Sequence, residues 1–320
     1  MAERQSPVFE PLTTLTNQHI DDMAVLAGVV SSSFRDVDVN ERRLTIAHNL
    51  EEALACPEET AVFVHEDNGR IISTATANII GTDGWVDDVA TLESAQGRGL
   101  ATGVMRVMHG WMQNQGAERS LLTSKPDRID AWKIYRGKFG YTVGGTVYRA
   151  PITDQNSSSD YTEIRDPWPE DLKTILTLHD EREVAAEDMQ VLAGRIRKIG
   201  RSEHTKIAIG STSKVHDFVR NFVVEAGVCK ILTGNKAWIS VNAEEHNSWA
   251  YRHAVIQGNG MLKDSGVKSA NMFFTEDKPA DPDLEFVLKN TGFEARDTGL
   301  FVLDLTKAPT EQPGPTRSII

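Results

Sequence analysis

The run Gln96-Gly97-Arg98-Gly99 has the residue types of a phosphate-binding turn. It follows Trp85–Leu92, whose β-branched residues predict a half-buried strand, and precedes Thr102–Met112, whose apolar residues recur at helical spacing. A helix N-terminus leaves amides unpaired and carries partial positive charge, and glycines let a phosphate approach the backbone closely. The pattern therefore favours an anion site, although an ordinary turn between a strand and a helix can contain the same residues.

Two well-known phosphate sites do not fit this chain. There is no G-x-x-x-x-G-K-[ST] run, which excludes a P-loop NTPase. There is also no G-x-G-x-x-G followed by an acidic residue about 20 positions on, which disfavours a dinucleotide-binding fold.

The turn resembles the pyrophosphate loop of the GNAT family of N-acetyltransferases, Q/R-x-x-G-x-G/A. A second motif is similar to the family's A-x-x-x-Y-x-x-x-G-F, and the strand Arg119–Ser124 lies between the two motifs, as it does in the family. One departure is visible, because an asparagine often found three residues before the motif's alanine is Arg128 here. The resemblance covers roughly residues 10 to 150. The matching residues are Gln96, Gly99 and Ala101 in the loop, and Ala131, Tyr135, Gly140 and Tyr141 in the second motif.

The resemblance implies acetyl-CoA as co-substrate and direct acetyl transfer in a ternary complex. Backbone groups of the central strand at Val89, Ala90 and Thr91 would bind the pantetheine arm and polarise the thioester. The pyrophosphate would lie on the loop, with the Gln96 side chain beside it. The amides expected to hold it are those of Gly97, Arg98, Gly99, Leu100, Ala101 and Thr102.

The resemblance also assigns the catalytic groups. Tyr135 matches the tyrosine that protonates the leaving sulfur, although an aromatic residue on an amphipathic helix is often a core residue. Asp87, acting through water, is the expected base, and Asp88 is the other candidate. Because neighbouring strand residues point to opposite faces, only one of the two is expected to face the pocket, and either carboxylate can instead be structural. Ser124 is a candidate acceptor contact, with a turn or cap as the alternative.

Composition limits the partners. The net charge of −12 disfavours nonspecific binding to nucleic acid or acidic membranes. Two cysteines in 320 residues favour a reducing compartment, the cytoplasm, and the histidines have no metal-ligand spacing, so no metal is expected. No apolar run has membrane-spanning length. His109 is expected at the surface. The chain is expected to be a monomer or a homodimer.

Domain 1 is expected over residues 1–152. Helical patterns cover Gln18–Phe34 and Asn40–Cys56, the second with Leu44 facing inward, and together they would form a wall of the acceptor pocket. Thr60–Glu66 and Ile71–Ile80 predict strands joined by a hairpin turn at Asp67-Asn68-Gly69-Arg70. The polar residues 153–160 predict a linker.

Residues 161–307 repeat the order of elements and predict a second, degenerate domain of the same kind, with an unrelated α+β domain as the alternative. Helical patterns cover Glu170–Gln190, and two strands are expected to pair across Ala226-Gly227. An offset of 152 residues aligns Gly140 with Gly292. It also places Tyr251, His253 and Val287 where the first half has Gly99, Ala101 and Tyr135, which removes the phosphate approach and the acid.

The fold class expected is therefore α/β (α+β), with two GNAT-like domains, each a mixed, mostly antiparallel central sheet flanked by helices. Residues 308–320 predict a disordered tail. The function expected is acetylation of a primary amine of a small molecule. The alternatives are a non-catalytic acyl-CoA-binding or interaction module and a protein lysine acetyltransferase.

Overall fold

The structure, a computed structural model, describes residues 8–30, 36–80, 83–161, 205–215, 218–231, 234–243, 248–276, 279–296 and 298–307, together with residues 163, 172, 190, 193, 194, 196 and 197. The expected tail at 308–320 and most of the helix expected over Glu170–Gln190 lie outside the described residues. The chain divides into two compact units. Unit 1 comprises Met1–Val143, Lys230–Gly234 and Phe301–Ile320, and unit 2 comprises Gly144–Cys229 and Asn235–Leu300.

The described strands of unit 1 are β1 (Glu10–Pro11), β2 (Thr60–Asp67), β3 (Arg70–Ile80), β4 (Asp83–Thr91), β5 (Arg119–Ser124), β6 (Thr142–Val143) and β13 (Gly299–Asp304). They form one mixed sheet in the order β1-β2-β3-β4-β5-β13-β6. Within it β2–β3, β3–β4 and β13–β6 pair antiparallel, whereas β4–β5 is parallel.

The described helices of unit 1 are α1 (Asn17–Val30), α2 (Val39–Ala55), α3 (Leu100–Asn114) and α4 (Ile129–Phe139). On one face of the sheet α1 and α2 pack in a cluster that contains Met23, Leu26 and Ile46. On the other face α3 buries Met105 and Met108 in a second cluster. Within the described residues the helices and strands expected for the first half are therefore confirmed, with small differences in their ends. The last part of the helix expected over Gln18–Phe34 lies outside the described residues.

Local sequence explains several element boundaries. Asn68 and Gly69 both have positive φ, 54° and 73°, as a two-residue hairpin turn between β2 and β3 requires, so the expected turn is confirmed. Asp38 begins α2 because its carboxylate accepts from the amides of Asn40 and Glu41.

Two expected positions were wrong. Leu44 is 72% exposed, because the inward stripe of α2 runs through Ile46, Asn49 and Leu50 instead. His109, expected at the surface, is 7% exposed because it lies on the side of α3 that packs against Tyr141 and Phe139.

Unit 2 has a second mixed sheet of six strands in the order β12-β7-β11-β10-β9-β8, with β10–β11 parallel and the β8–β9 and β11–β7 pairs antiparallel. Its described helices are α5 (Ser248–Asp264) and α6 (Pro282–Asn290). The strands are β7 (Gly145–Pro151), β8 (Thr205–Val215), β9 (Phe218–Ile231), β10 (Gly234–Ala243), β11 (Ser269–Thr275) and β12 (Glu294–Ala295).

The turn expected at Ala226-Gly227 was wrong. Both residues lie inside the continuous strand β9, where they pair with Lys206 and Thr205 of β8. A glycine inside a strand pattern imitates a turn signal, and β8 supplies the partner that the sequence pattern did not single out.

The unit boundaries differ from the expected ones. The strand β7, which lies within the span 1–152 expected for the first domain, pairs with β11 and β12 in the sheet of unit 2. The strand β13, near the end of the described chain, lies between β5 and β6 in the sheet of unit 1. Sequence order alone assigns each strand to its neighbour along the chain, whereas strand pairing here follows contacts at long range.

The expected linker, residues 153–160, packs within unit 2 on α5. The Ser158 amide donates to the Ile256 carbonyl at 3.1 Å, and the Asn259 side chain donates to the Asn156 carbonyl at 2.8 Å. A Cβ at Gly260 would collide with the Ser158 carbonyl oxygen, so this glycine permits the close approach. This polar segment without periodicity is thus bound to α5 by a backbone group and by a side chain of the helix.

Candidate functional site

A cleft opens in unit 1 where β4 and β5 stop pairing. The parallel register runs from Asp83–Arg119 to Val86–Leu122, and β4 then continues to Thr91 without β5 beside it. A cavity of ≈ 270 Å³ occupies the gap. It is lined by Val29, Val30, Val86, Asp87, Asp88, Val89, Leu122, Thr123, Ser124, Lys125, Arg128, Ala131 and Tyr135. The cavity therefore brings together Asp87, Asp88, Val89, Ser124 and Tyr135, all of which the sequence had singled out.

A β-bulge decides how the two aspartates point. Asp88 has φ 52°, and the β3–β4 register shifts there, with Thr74 opposite Ala90 but Thr76 opposite Asp87. A bulge adds one residue to one strand and breaks the alternation of faces, and aspartate tolerates the left-handed region better than most residues. Both residues line the cavity, and the simple alternation of faces on which the expectation of a single facing aspartate rested does not hold at this point of β4.

The two carboxylates have different surroundings. Asp87 is half-buried and accepts a hydrogen bond from the Trp85 indole on the same strand. Asp88 is only 4% exposed. The Trp85 contact fixes the orientation of Asp87 while leaving it accessible at the cavity wall, so Asp87 is the better placed of the two to reach a ligand.

Tyr135 enters the cavity from α4 and is 7% exposed. Its ring makes edge contacts with Phe301 at 5.5 Å and with Tyr141 at 6.0 Å between centroids. The pKa of the Tyr135 phenol is raised to about 12, mainly by burial and also by the negative charge of Asp87, while the positive charge of Arg128 opposes the shift. The phenol therefore keeps its proton at neutral pH and can donate it in a hydrogen bond.

The helix α4 that carries Tyr135 ends in a motif that fixes its last turn. Gly140 has φ 76°, and the Tyr141 amide donates back to the Tyr135 carbonyl at 3.0 Å. The glycine of the second sequence motif thus provides the left-handed residue that such a helix end requires.

The far end of β4 holds the other expected backbone groups. The Ala90 carbonyl accepts from the Ser73 hydroxyl at 3.0 Å, and the Thr91 carbonyl accepts from the Gln96 side chain at 3.3 Å. Val89 packs with the cluster on the α3 face, whereas Ala90 belongs to the cluster on the α1 face. Of these three residues only Val89 lines the cavity.

The expected phosphate turn joins β4 to α3. Gly97 and Gly99 have φ 75° and 79°, and Gly99 is the N-cap of α3. The Gly103 amide makes the first bond of the helix, to the Gly99 carbonyl at 3.0 Å, so the amides from Gly99 to Thr102 have no partner inside the helix. A Cβ at Gly97 or Gly99 would meet no atom within 4 Å, so the space next to the turn is open.

These features fit the pyrophosphate of an acyl-CoA. Amides at a helix N-terminus point outward at an exposed turn, and open space lies beside them. Arg98 is half exposed and forms an ion pair with Asp67 at 3.4 Å, a long surface pair from which it is easily displaced. Leu100 anchors the turn because it is buried with Ile72 and Ala95.

The sequence singled out neither Lys125 nor the cavity role of Arg128. Arg128 immediately precedes α4 and donates to the Val30 carbonyl at 3.1 Å, at the end of α1. Lys125 follows β5 and lines the same wall. The only available signal was the departure from the family motif at Arg128.

Of the three residues that the offset of 152 places at the first unit's motif positions, the second unit buries two. Tyr251 is 7% exposed and Val287 is 3% exposed, and both belong to the core cluster of unit 2. His253 is exposed and stacks on Trp249 with ring centroids 6.1 Å apart. Where the first unit has Gly99, Ala101 and Tyr135, the second unit therefore has two buried side chains and one exposed side chain of other types.

None of the helices in the described part of the chain combines the length and apolar content needed to span a bilayer. The same residues contain no group of three or more His, Cys, Asp or Glu side chains arranged to hold a metal ion.

Known proteins resemble this chain in sequence and in fold. Residues 31–141 match the family model described as "Acetyltransferase (GNAT) family". An "Uncharacterized N-acetyltransferase YobR" from Bacillus subtilis (strain 168) is 28% identical over 102 residues, and the match spans 32% of this chain and 40% of that relative. A solved structure titled "Tandem GNAT protein from the clavulanic acid biosynthesis pathway (without AcCoA)" aligns over 95% of this chain and 100% of its own, with a TM-score of 0.50 and 13% identity. This last likeness concerns the fold, and it extends over both units.

Proposed function

We propose that this chain, a member of the GNAT family through residues 31–141, transfers acetyl from acetyl-CoA to a primary amine of a small molecule. The transfer is direct, in a ternary complex formed in unit 1. The chain is proposed to act in the cytoplasm, given its two cysteines, as a monomer or a homodimer.

One observation carries the proposal. A single strand, β4, leads from the cavity that contains Asp87 and Tyr135 to the turn with open amides at Gly99–Thr102. A thioester with a long arm and a pyrophosphate needs a reaction site and an anion site joined in this way. Either feature alone also occurs in proteins with other functions.

Asp87 and Tyr135 act on opposite ends of the transfer, the attacking amine and the leaving sulfur. As the amine nitrogen bonds to the acetyl carbon it loses a proton, which Asp87 accepts through water. The carbon–sulfur bond breaks and leaves a thiolate, toward which Tyr135 donates its phenolic hydrogen bond. A thiol has a pKa of about 8.5, well below the value of about 12 for Tyr135. We therefore expect Tyr135 to stabilise the thiolate by a hydrogen bond and the proton to reach sulfur with the help of solvent.

The test is calorimetric titration of the intact chain with acetyl-CoA, followed by a thiol-release assay over a panel of amines and a lysine peptide. We expect one site per chain and thiol release with a small amine. The absence of binding would contradict the proposal, and binding without release on any acceptor would leave an acyl-CoA-binding module. Release with the peptide alone would favour a protein lysine acetyltransferase, and two sites per chain would contradict the inactive second unit.

A further inference from the structure

The cavity of unit 1 has two charged walls of opposite sign. Asp87 and Asp88 lie on the β4 side, and Lys125 and Arg128 lie on the side formed by the end of β5 and the start of α4. The four formal charges sum to zero. A pocket that had only to accept a plain amine would need the carboxylates alone.

The basic wall is available to a ligand. Lys125 makes no ion pair with any of the described residues, and the one described hydrogen bond of the Arg128 side chain goes to the Val30 carbonyl. A guanidinium has five N–H donors, so that contact positions Arg128 and leaves donors directed elsewhere. The negative charge of Asp87 and the positive charge of Arg128 both act on the Tyr135 phenol, so groups of both charges lie near the proposed reaction site.

From this juxtaposition we propose that the acceptor is a zwitterion, an amine with a neighbouring carboxylate, such as a free amino acid. The carboxylate binds Arg128 and Lys125 while the amine lies toward Asp87. The inference rests on the proposed function and defines its substrate class. A cavity of ≈ 270 Å³ with apolar Val29, Val30 and Ala131 on its wall suits a ligand of that size.

The same charges discriminate against other amines. A diamine would bring its second ammonium toward Lys125 and Arg128, where like charges repel. A lysine side chain within a peptide has no free carboxylate beside its amine. Both classes are therefore expected to be poorer acceptors than an amino acid.

The experiment compares matched acceptors that differ only in the carboxylate. Thiol release from acetyl-CoA is measured with a panel of L-amino acids, β-alanine and γ-aminobutyrate, and with the carboxamide of each. We expect kcat/KM to be about tenfold or more higher for at least one acid than for its amide, the effect of a lost charge-assisted hydrogen bond. Arg128→Gln and Lys125→Gln should each reduce that ratio and leave acetyl-CoA binding within about twofold.

Lys133→Gln is the matched control. Lys133 lies on α4, which begins just after Arg128, its side chain is 71% exposed and pairs with Asp130, and it is not part of the cavity lining. Two outcomes overturn the inference and leave the proposed function intact. One is equal or better turnover of the amides, and the other is acetyl-CoA binding without turnover of either series. A preference for succinyl-CoA over acetyl-CoA that Arg128→Gln abolishes also overturns it, because the carboxylate would then belong to the acyl donor. Failure of acetyl-CoA to bind the intact chain contradicts the proposed function itself.

Discussion

Tyr135 has two roles that one substitution separates, packing through its ring and donation through its hydroxyl. Tyr135→Phe keeps the edge contacts with Phe301 and Tyr141 and removes only the donor. We expect kcat to fall about 100-fold, with acetyl-CoA affinity and the melting temperature little changed. Steady-state kinetics with calorimetry checks this, and a loss smaller than about threefold would assign Tyr135 to packing alone.

Tyr141→Phe is the control for that experiment. The Tyr141 hydroxyl lies 2.8 Å from His109 Nε2 and 2.6 Å from the Ser120 hydroxyl, and it is not part of the cavity lining. Its removal leaves two buried polar groups without this partner, so stability should fall while kcat stays within about twofold.

His109 makes stability depend on pH. Burial lowers the pKa of its imidazole to about 4, from 6.5 in an exposed histidine. In the unfolded chain His109 therefore binds a proton below about pH 6.5, whereas in the folded chain it binds one only below about pH 4. Stability is fully present above pH 6.5 and declines toward pH 4, by up to about 3 kcal/mol.

The measurement is chemical denaturation between pH 7.5 and pH 4.5. His109→Gln should be less stable than the native chain at pH 7.5 because its contact with Tyr141 is disturbed, yet it should lose less stability as the pH falls. His48→Gln serves as the comparison, since the His48 side chain is 68% exposed. Equal slopes for His109→Gln and the native chain would contradict the assignment.

At the scale of elements, the turn before α3 is expected to bind the coenzyme through its backbone. Gly99→Glu puts a carboxylate beside the open amides where a phosphate should lie. We expect the acetyl-CoA dissociation constant to rise about tenfold or more in calorimetry, with the fold retained. Unchanged affinity would exclude this turn as the pyrophosphate site.

The opposite end of the same helix supplies the control. Gly116 follows α3, is exposed and has φ 86°, and a Cβ added there would meet no atom within 4 Å, so it matches Gly99 in strain and in space. Gly116→Glu should therefore cost similar stability without weakening acetyl-CoA binding. Any difference between the two variants reports the anion site itself.

At the scale of the whole molecule, unit 1 depends on a strand from the other end of the chain. Phe301 of β13 is 0% exposed and contacts Tyr135, Trp132 and Tyr141. Losing one buried phenylalanine costs about 3–5 kcal/mol, a large part of a domain's usual 5–15 kcal/mol. The fragment 1–152 should therefore lack a cooperative thermal transition and should not bind acetyl-CoA.

Adding a peptide of residues 298–307 to that fragment should restore part of the binding, because it supplies β13. Fluorescence titration with acetyl-CoA, with and without the peptide, gives the comparison. A fragment 1–152 that binds as tightly as the intact chain would show that the first domain is complete without the distant strand.

The sequence alone determined what depends on neighbouring residues. Glycines at the turn before α3, the Asn68-Gly69 hairpin and the apolar period of α3 are local signals, and local backbone preferences decide them. The family motifs likewise indicated Asp87 and Tyr135 as candidates. These elements formed where the residue types predicted.

Only the tertiary structure decided what depends on distant contacts. The bulge at Asp88 interrupts the alternation of β4. Asp87, Asp88, Lys125 and Arg128 line one cavity at the gap between β4 and β5, and β13 lies in the first sheet. A prediction from side-chain periodicity assumes an unbroken strand that pairs with its neighbour in sequence. It therefore does not reveal the extra residue of the bulge at Asp88 or the pairing of a distant strand such as β13. The fold therefore supplied the convergence of charges on which the acceptor class depends.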